Sequence, residues 1–590
     1  MPKVEVSAND NGLFLRFGYH PTLFNAIKEI PSRRWDKEDK VHYIGKYDLQ
    51  NAIIAFLRND YEVEYTDTAL EIIKEFRNRR TKLMAFKTGT AHESKGIDLK
   101  LPLRPFQKVG HDFLLNAGRC LLCDEMGLGK TVQVISTFKS LKEAGKVKKL
   151  LVLCPSSVKG QWRKDIHKFT DFIPLVVEGT PKARKEQYKQ EYDIIIMTYD
   201  TYLSDFTPKK ATKKNPNPKP ALSVPKVDML ACDECQRLVK IKNKTTQALH
   251  ILKEKIKLEY IYLMTGTPLI NKVEDLWSLM YFVDPELVGE FWQFRARYCE
   301  IEYEEIKMLD PKKKKEGKFE KVTRKIPHVV GYKNLEELRY KMEPVYIRRE
   351  KKEVAKDLPE KIPYTLEVDL TKNQRDLYNT LRDDFLNRFM TEDVTMSNAL
   401  VWFIRAKQIC DTAELVEPSM KDSSKMDELK VLLEDLIVKD NHKVVLFSQY
   451  KQMTDIFIRE FLDYNPLYIH GGVKSEDREL LIDAFQEDPK HKLFVITLRA
   501  GGIGITLTAS DVCILYDKWF SPAANNQAID RIHRIGQTKN VSVIDFICKN
   551  TLEERIEVIL ERKRIMDEAM FGDDKAILQK LTPEELRNLL

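Results

Sequence analysis

Arg531 and Arg534 stand three residues apart in the segment NNQAIDRIHRIGQ, Asn525 to Gln537. That spacing is about one helical turn and predicts two guanidiniums pointing the same way. Far upstream, DEMGLGKT follows the apolar run RCLLC. In it Gly127 and Gly129 let backbone N–H groups approach phosphate oxygens, Lys130 reaches the terminal phosphates and Thr131 supplies a magnesium ligand. Asp124, Glu125, Met126 and Leu128 complete this cradle, with Asp124 where the general phosphate-loop pattern begins with Gly. In the later tetrad DECQ, Asp233 would hold magnesium through water, and Glu234 would position and deprotonate an attacking water. The Gln107 amide, in LRPFQ ahead of the cradle, has the paired donor and acceptor that an adenine edge requires. A closing cleft would bring the two arginines onto the γ-phosphate of ATP, which gives Lys130, Asp233, Glu234, Arg531 and Arg534 catalytic roles.

Such groups must sit at strand ends. From about residue 100, short apolar runs alternate with amphipathic stretches: KKLLVLCP, YDIIIMTYD, KVDMLACDE and EYIYLMTGTP. A second series, KVVLFSQY, LYIHGG, KLFVITL, DVCILYD and VSVIDFI, follows from about 440. These read as buried parallel strands with ligand-binding residues beyond their carboxyl ends. The expected fold is α/β: two parallel-sheet lobes over 96–365 and 366–590, with helical insertions, and a small α+β module over 1–95. Residues 207–220 and 307–325, rich in lysine, read as exposed loops, where a solvated insert competes with a phosphate-facing patch. Residues 370–435 read as helical, and Thr551 to Met570 as a charged helix bracing the lobes.

A chain of 590 residues that is 43% hydrophobic and 32% charged is globular rather than disordered. No run is long and apolar enough to span a membrane, and the start lacks a basic-then-apolar signal pattern. The expected setting is cytoplasmic, in a bacterial or phage-infected cell, or nuclear in a eukaryote. The net charge of +8 permits nucleic acid without requiring it. Cys120–Cys123 and Cys232–Cys235 are spaced too far apart for a zinc ribbon, and buried free thiols on strands account for them, so no zinc is expected.

A nucleic-acid track should cross the tops of both lobes. Ser156, Ser157, Lys159 and Trp162 follow one strand, and Thr265 and Gly266 follow another. In the second series Ser448, Gly471, Gly472, Thr497 and Arg499 end strands, and Trp519 lies in YDKWFSP. Hydroxyls and exposed backbone suit phosphates, so binding should be sequence-independent and salt-sensitive.

DEMGLGKT, DECQ, LMTGTPLIN, RAGGIGITLTASD and QAIDRIHRIGQ, in this order, resemble the Swi/Snf-type ATPases of helicase superfamily two. The resemblance implies two RecA-like lobes that translocate on double-stranded DNA using ATP and Mg2+, generally without separating strands. It also implies that Gly504 contacts nucleotide and that Trp519 lies near DNA. Two residues depart from the pattern: Gln236 where many members have His, and Leu498 where a hydroxyl residue is common. The segment FGYHPTLFNAIKEIPSRRWDKEDKVHYI is similar to the HARP domain of annealing helicases, which makes Arg33, Arg34 and Trp35 candidate DNA contacts. The expectation is a monomeric DNA-dependent ATPase that remodels or anneals branched DNA. Its rivals are a motor that displaces RNA polymerase or nucleosomes, and a silent DNA-binding scaffold.

Overall fold

Runs of aliphatic residues bounded by Gly, Pro and acids build two all-parallel sheets. In this computed structural model the described residues are 3–9, 12–28, 30, 32–48, 62–90, 97–207, 226–240, 243–266, 273–309, 321–391, 396–501, 505–519, 522–558 and 560–561. The first sheet has seven strands in the order Tyr346–Ile347, Arg119–Leu122, Tyr260–Met264, Met229–Asp233, Leu150–Cys154, Ile194–Thr198 and Pro174–Val176. Both faces are covered. Leu121, Leu151 and Leu230 enter one core, and Leu122, Val152 and Ala231 the other. Two-faced burial explains why these strands read as unbroken apolar runs. Cys120 lies in one of these cores while Cys123, Cys232 and Cys235 lie in the other, so the four thiols do not converge.

The second sheet has six strands, ordered Lys361–Val368, Val541–Cys548, Val512–Leu515, Val444–Ser448, Leu493–Thr497 and Leu467–Ile469. It begins at Lys361, ahead of the expected boundary at 366. The edge strand was missed because Pro363 interrupts it and most of its residues face solvent. The expected helical insertion is present as Lys372–Thr391, Met396–Asp411 and Ser424–Leu433. The described part of the C-terminal helix puts Leu552, Ile556 and Leu560 into the second lobe's own core.

One basic segment is only partly a loop. Cys299–Leu309 and Lys321–Tyr332 pair as an antiparallel hairpin, so 307–309 and 321–325 are strand. Residues 310–320 lie outside the described residues, as do 208–220 of the other basic segment.

The N-terminal module is a mixed sheet, ordered Arg34–Asp36, Val41–Gly45, Gly12–Phe17, Lys3–Asn9 and Glu62–Tyr65. The helix Asp67–Lys87 belongs to two cores at once. Its start, capped by Thr66, gives Ala69 and Ile73 to the module. Its end gives Leu83 and Phe86 to the first lobe. Cutting the chain at 95 would therefore strip the first lobe of core residues. Lys341 of the first lobe also reaches into the module, 3.0 Å from Asp48 with both side chains buried.

Phe86→Ala should cost about 3–5 kcal/mol of stability by emptying a buried aromatic site. Urea unfolding of the full chain measures this, and a loss below about 1 kcal/mol would separate the helix from the first lobe's core.

Candidate active site

The phosphate loop spans Cys123 to Gly129, between the strand Arg119–Leu122 and the helix Lys130–Glu143. Gly127 and Gly129 have φ of +86° and +76°, a region costly for other residues. The Lys130 ammonium donates to the Asp124 carbonyl at 2.8 Å, folded back over the loop. Asp124 itself is fully buried. Its carboxylate accepts from Arg349 Nε at 2.9 Å, Arg349 Nη2 at 2.5 Å and Gln133 Nε2 at 2.9 Å. Asp124 therefore anchors the loop from behind, which accounts for an acid in place of Gly. Gly110 leaves room for this network, since a Cβ there would lie 1.8 Å from Gln133 Oε1. Gln107 is also engaged in the loop. Its Oε1 accepts from the Arg104 N–H at 3.0 Å, and its Nε2 donates to the Leu128 carbonyl at 3.1 Å.

Asp233 and Glu234 sit at the end of the strand Met229–Asp233, and Glu234 adopts φ +50°. Trp162 donates its indole N–H to Asp233 Oδ2 at 2.9 Å and is fully buried. Trp162 thus orients the acid and does not lie on an open track. Burial, then the adjacent Glu234 charge, push Asp233 up to about 6, against the pull of Trp162 and Lys130. Gln236 donates to Glu234 Oε2 at 2.7 Å and holds the second acid in place. Thr131 and Asp233 offer oxygen ligands suited to magnesium, and the repulsion between the paired acids Asp233 and Glu234 is what a divalent cation relieves.

The two arginines are not on a helix. The helix Pro522–Ile529 ends before them, and residues 530–536 form successive turns. The expected geometry is corrected accordingly, but both side chains still reach the seam between the lobes. Arg531 Nη2 lies 3.9 Å from Met126 Sδ of the phosphate loop. Burial lowers the Arg531 pKa, and Glu234, Asp530 and Asp233 oppose that shift. Arg534 donates to Thr506 Oγ1 at 2.8 Å and to the Ile505 carbonyl at 3.3 Å. Burial and the Arg531 charge push it down to about 10. A Cβ on Gly127 would come within 2.8 Å of Arg534 Cβ, so this glycine permits the close approach of the lobes. Gly504 lies outside the described residues.

The residues of the expected track separate by exposure. Ser156, Gly471, Gly472 and Trp519 are exposed, while Thr265, Ser448 and Thr497 are buried. Ser448 donates to Asp517 at 2.5 Å. Lys159 is buried, 2.5 Å from the half-exposed Glu178. Ser157 Oγ is buried with no hydrogen-bond partner among the described residues. Gly266 packs on Met126, where a Cβ would lie 2.6 Å from Met126 Cγ. Arg499 falls in the short helix Leu498–Gly501, and its side chain lies outside the described residues. In the N-terminal module Trp35 is 46% exposed, and its ring centroid is 4.6 Å from that of His42. Arg34 is exposed, whereas Arg33 is half-buried and donates to His42 Nδ1 at 3.0 Å. Burial and the Arg33 charge push His42 down to about 4.

Two central residues were not anticipated, Arg349 and Lys351. They lie in IRREKK, a cationic run that ordinarily marks a solvated face. The available signal was its position, directly after the short apolar stretch PVYI.

A model of the SNF2-related domain matches residues 50–415, and one of the helicase conserved C-terminal domain matches residues 424–536. The chain is 29% identical over 542 residues to the "Putative ATP-dependent helicase/translocase YwqA" of Bacillus subtilis, covering 88% of this chain and 54% of that protein. It is 30% identical over 476 residues to an uncharacterized ATP-dependent helicase of Mycoplasma pneumoniae, covering 80% of this chain and 42% of that one. The chain thus spans about half the length of the curated relatives it matches. The solved Sulfolobus solfataricus SWI2/SNF2 ATPase core in complex with dsDNA is 28% identical, with 85% of this chain and 99% of that one covered and a TM-score of 0.36.

Arg349→Met should leave the Asp124 carboxylate buried beside Gln133 alone. Removing one partner of a buried pair costs about 3–5 kcal/mol. Denaturant unfolding reads that loss directly, and a variant as stable as the parent would contradict the anchoring role.

Proposed function

The chain belongs to the SNF2-related ATPases, and from that premise we propose that it is an ATP-dependent translocase on double-stranded DNA that remodels or anneals branched DNA. The observation that carries the motor reading is the seam. A phosphate loop and an acidic pair on one lobe face two arginines from the other, with Arg531 already on Met126 and Arg534 against Gly127. A site split between lobes makes hydrolysis depend on their closure.

In this reading the loop N–H groups and the helix start at Lys130 receive the phosphates of ATP. Lys130 exchanges its bond to the Asp124 carbonyl for a phosphate oxygen. Thr131 and Asp233 would hold magnesium, which would neutralise phosphate charge. Glu234, oriented by Gln236, accepts the proton of the attacking water. Arg531 and Arg534 stabilise charge that develops only in the transition state, so they act on turnover more than on nucleotide affinity. Gln107, with both ends of its amide engaged, stiffens the loop and contributes to adenine only through a remaining lone pair or N–H. Ser156, Gly471, Gly472 and Trp519 offer the exposed part of a backbone track along the duplex.

Branched DNA is the finer part of the proposal and rests on the N-terminal module. Arg34 and Trp35 present a cation beside an exposed ring, a combination that grips a backbone and stacks on an unpaired base. The module is held to the motor: Tyr43 donates to Glu286 at 2.7 Å, Tyr47 to Asp284 at 3.0 Å, and Lys46 pairs with Asp284 at 3.0 Å. A junction bound there stays in a set place relative to the first lobe.

Lys130→Ala should lower DNA-stimulated turnover by on the order of 10²-fold or more while DNA binding stays nearly intact. Steady-state ATPase assays on linear duplex, single strand and fork measure this, and turnover within twofold of the parent rules out this phosphate loop. Arg34→Ala combined with Trp35→Ala should lose preference for fork over linear duplex by roughly tenfold, as expected for one lost stacking contact, with the melting temperature kept. A folded double variant with its fork preference intact removes the branched-DNA reading and favours a motor that displaces proteins.

A further inference from the structure

We propose that Lys351 is a positioning residue for hydrolysis, a strut that sets the arginine turn of the second lobe against the phosphate loop of the first. Its backbone N–H donates to Glu125 Oε2 at 2.7 Å, inside the loop. Its ammonium lies 2.6 Å from Asp530 Oδ1 and donates to the His533 carbonyl at 2.6 Å. The same ammonium stands 3.7 Å from Glu125 Oε1. One cation therefore lies between two carboxylates, one from each lobe, with only 4% of the residue exposed.

Each of its partners in the second lobe directly precedes one of the fingers. Asp530 immediately precedes Arg531, and His533 immediately precedes Arg534. The residues from 530 to 536 are turns, so no helix enforces their direction. Lys351 takes a carboxylate at the start of this turn and a carbonyl at its middle. It also touches the glycine that lets the lobes meet, since a Cβ on Gly127 would lie 3.3 Å from Lys351 Cε. Without the ammonium, Glu125 and Asp530 would repel each other across the seam, beside a polyphosphate that adds more negative charge. A finger displaced by about 1 Å is enough to cost on the order of 10²-fold in rate.

This inference rests on the ATPase reading above. The test uses the full chain, with turnover and the Michaelis constant for ATP measured on duplex DNA, and Lys130→Ala as the silent reference. Lys351→Met should lower turnover on the order of 10²-fold and change the Michaelis constant by less than about threefold. Lys351→Arg should recover most of the rate by keeping a cation between the acids. Asp530→Asn should lose turnover as well, and Lys351→Met with Asp530→Asn should be no worse than the poorer single variant, because one contact cannot be lost twice. Additive losses, or a raised Michaelis constant with turnover preserved, overturn the proposal. A second reading needs no activity. Dyes on cysteines introduced at the exposed Lys185 and Ser419, one in each lobe, report the lobe spacing; the nine native cysteines are all buried. Lys351→Met should change energy transfer between the dyes in the nucleotide-free chain, and an unchanged signal overturns the strut. If Lys351→Met does not fold, Lys351→Arg and Asp530→Asn carry both measurements. If the parent chain hydrolyses no ATP, the ATPase reading fails and the dye pair still decides the strut.

Discussion

Burying a carboxylate is costly unless donors surround it, and Asp124 is surrounded by three, two from Arg349 and one from Gln133. That clamp ties the phosphate loop to the last strand of the first lobe, Tyr346–Ile347, which pairs with the strand leading into the loop. The Cys123 N–H donates to the Ile347 carbonyl and the Glu125 N–H to the Arg349 carbonyl, so the two segments run together beyond the sheet edge. Lys351 then extends the same segment across the seam. Loop geometry, lobe contact and the placing of the arginines all pass through six residues, Tyr346 to Lys351.

The arrangement separates rigid from movable parts. Asp124, Gln133 and Arg349 lie within one lobe and are buried, which suits a cradle whose shape must not change. The contacts of Lys351 with Asp530 and His533, and of Arg531 with Met126, cross between lobes. A seam built from these polar contacts and from Ile535 packed on Phe106 and Leu128 can open and close without either lobe's own core being disturbed. The N-terminal module moves with the first lobe, because the helix Asp67–Lys87 belongs to both cores and Lys341 pairs with Asp48.

What was legible in the sequence was what local pattern determines. The buried strands appeared as apolar runs, the phosphate loop as glycines after a strand, and the acidic pair as DE after VDML. The edge strand Lys361–Val368 escaped because only one end of it is buried, so periodicity carries little signal. The spacing of Arg531 and Arg534 suggested a helix, but the chain after Ile529 runs in turns held by local backbone bonds, such as His533 N–H to the Ile529 carbonyl, and by the Lys351 bond to the His533 carbonyl. Arg349 and Lys351 were hidden by composition: a run of charges reads as surface, and their burial depends on acids more than 170 residues away in either direction. Lys159 shows the opposite case. Its position after a strand suggests a phosphate contact, and in the free chain its ammonium is paired with Glu178.

The central claim is that the phosphate loop and the arginine turn of the other lobe form a single nucleotide site. Amide hydrogen exchange, compared with and without magnesium and a non-hydrolysable ATP analogue, tests it directly. The account predicts joint slowing of exchange in residues 124–131 and 530–536. Protection confined to 124–131, with the turn exchanging as in the free chain, would contradict it.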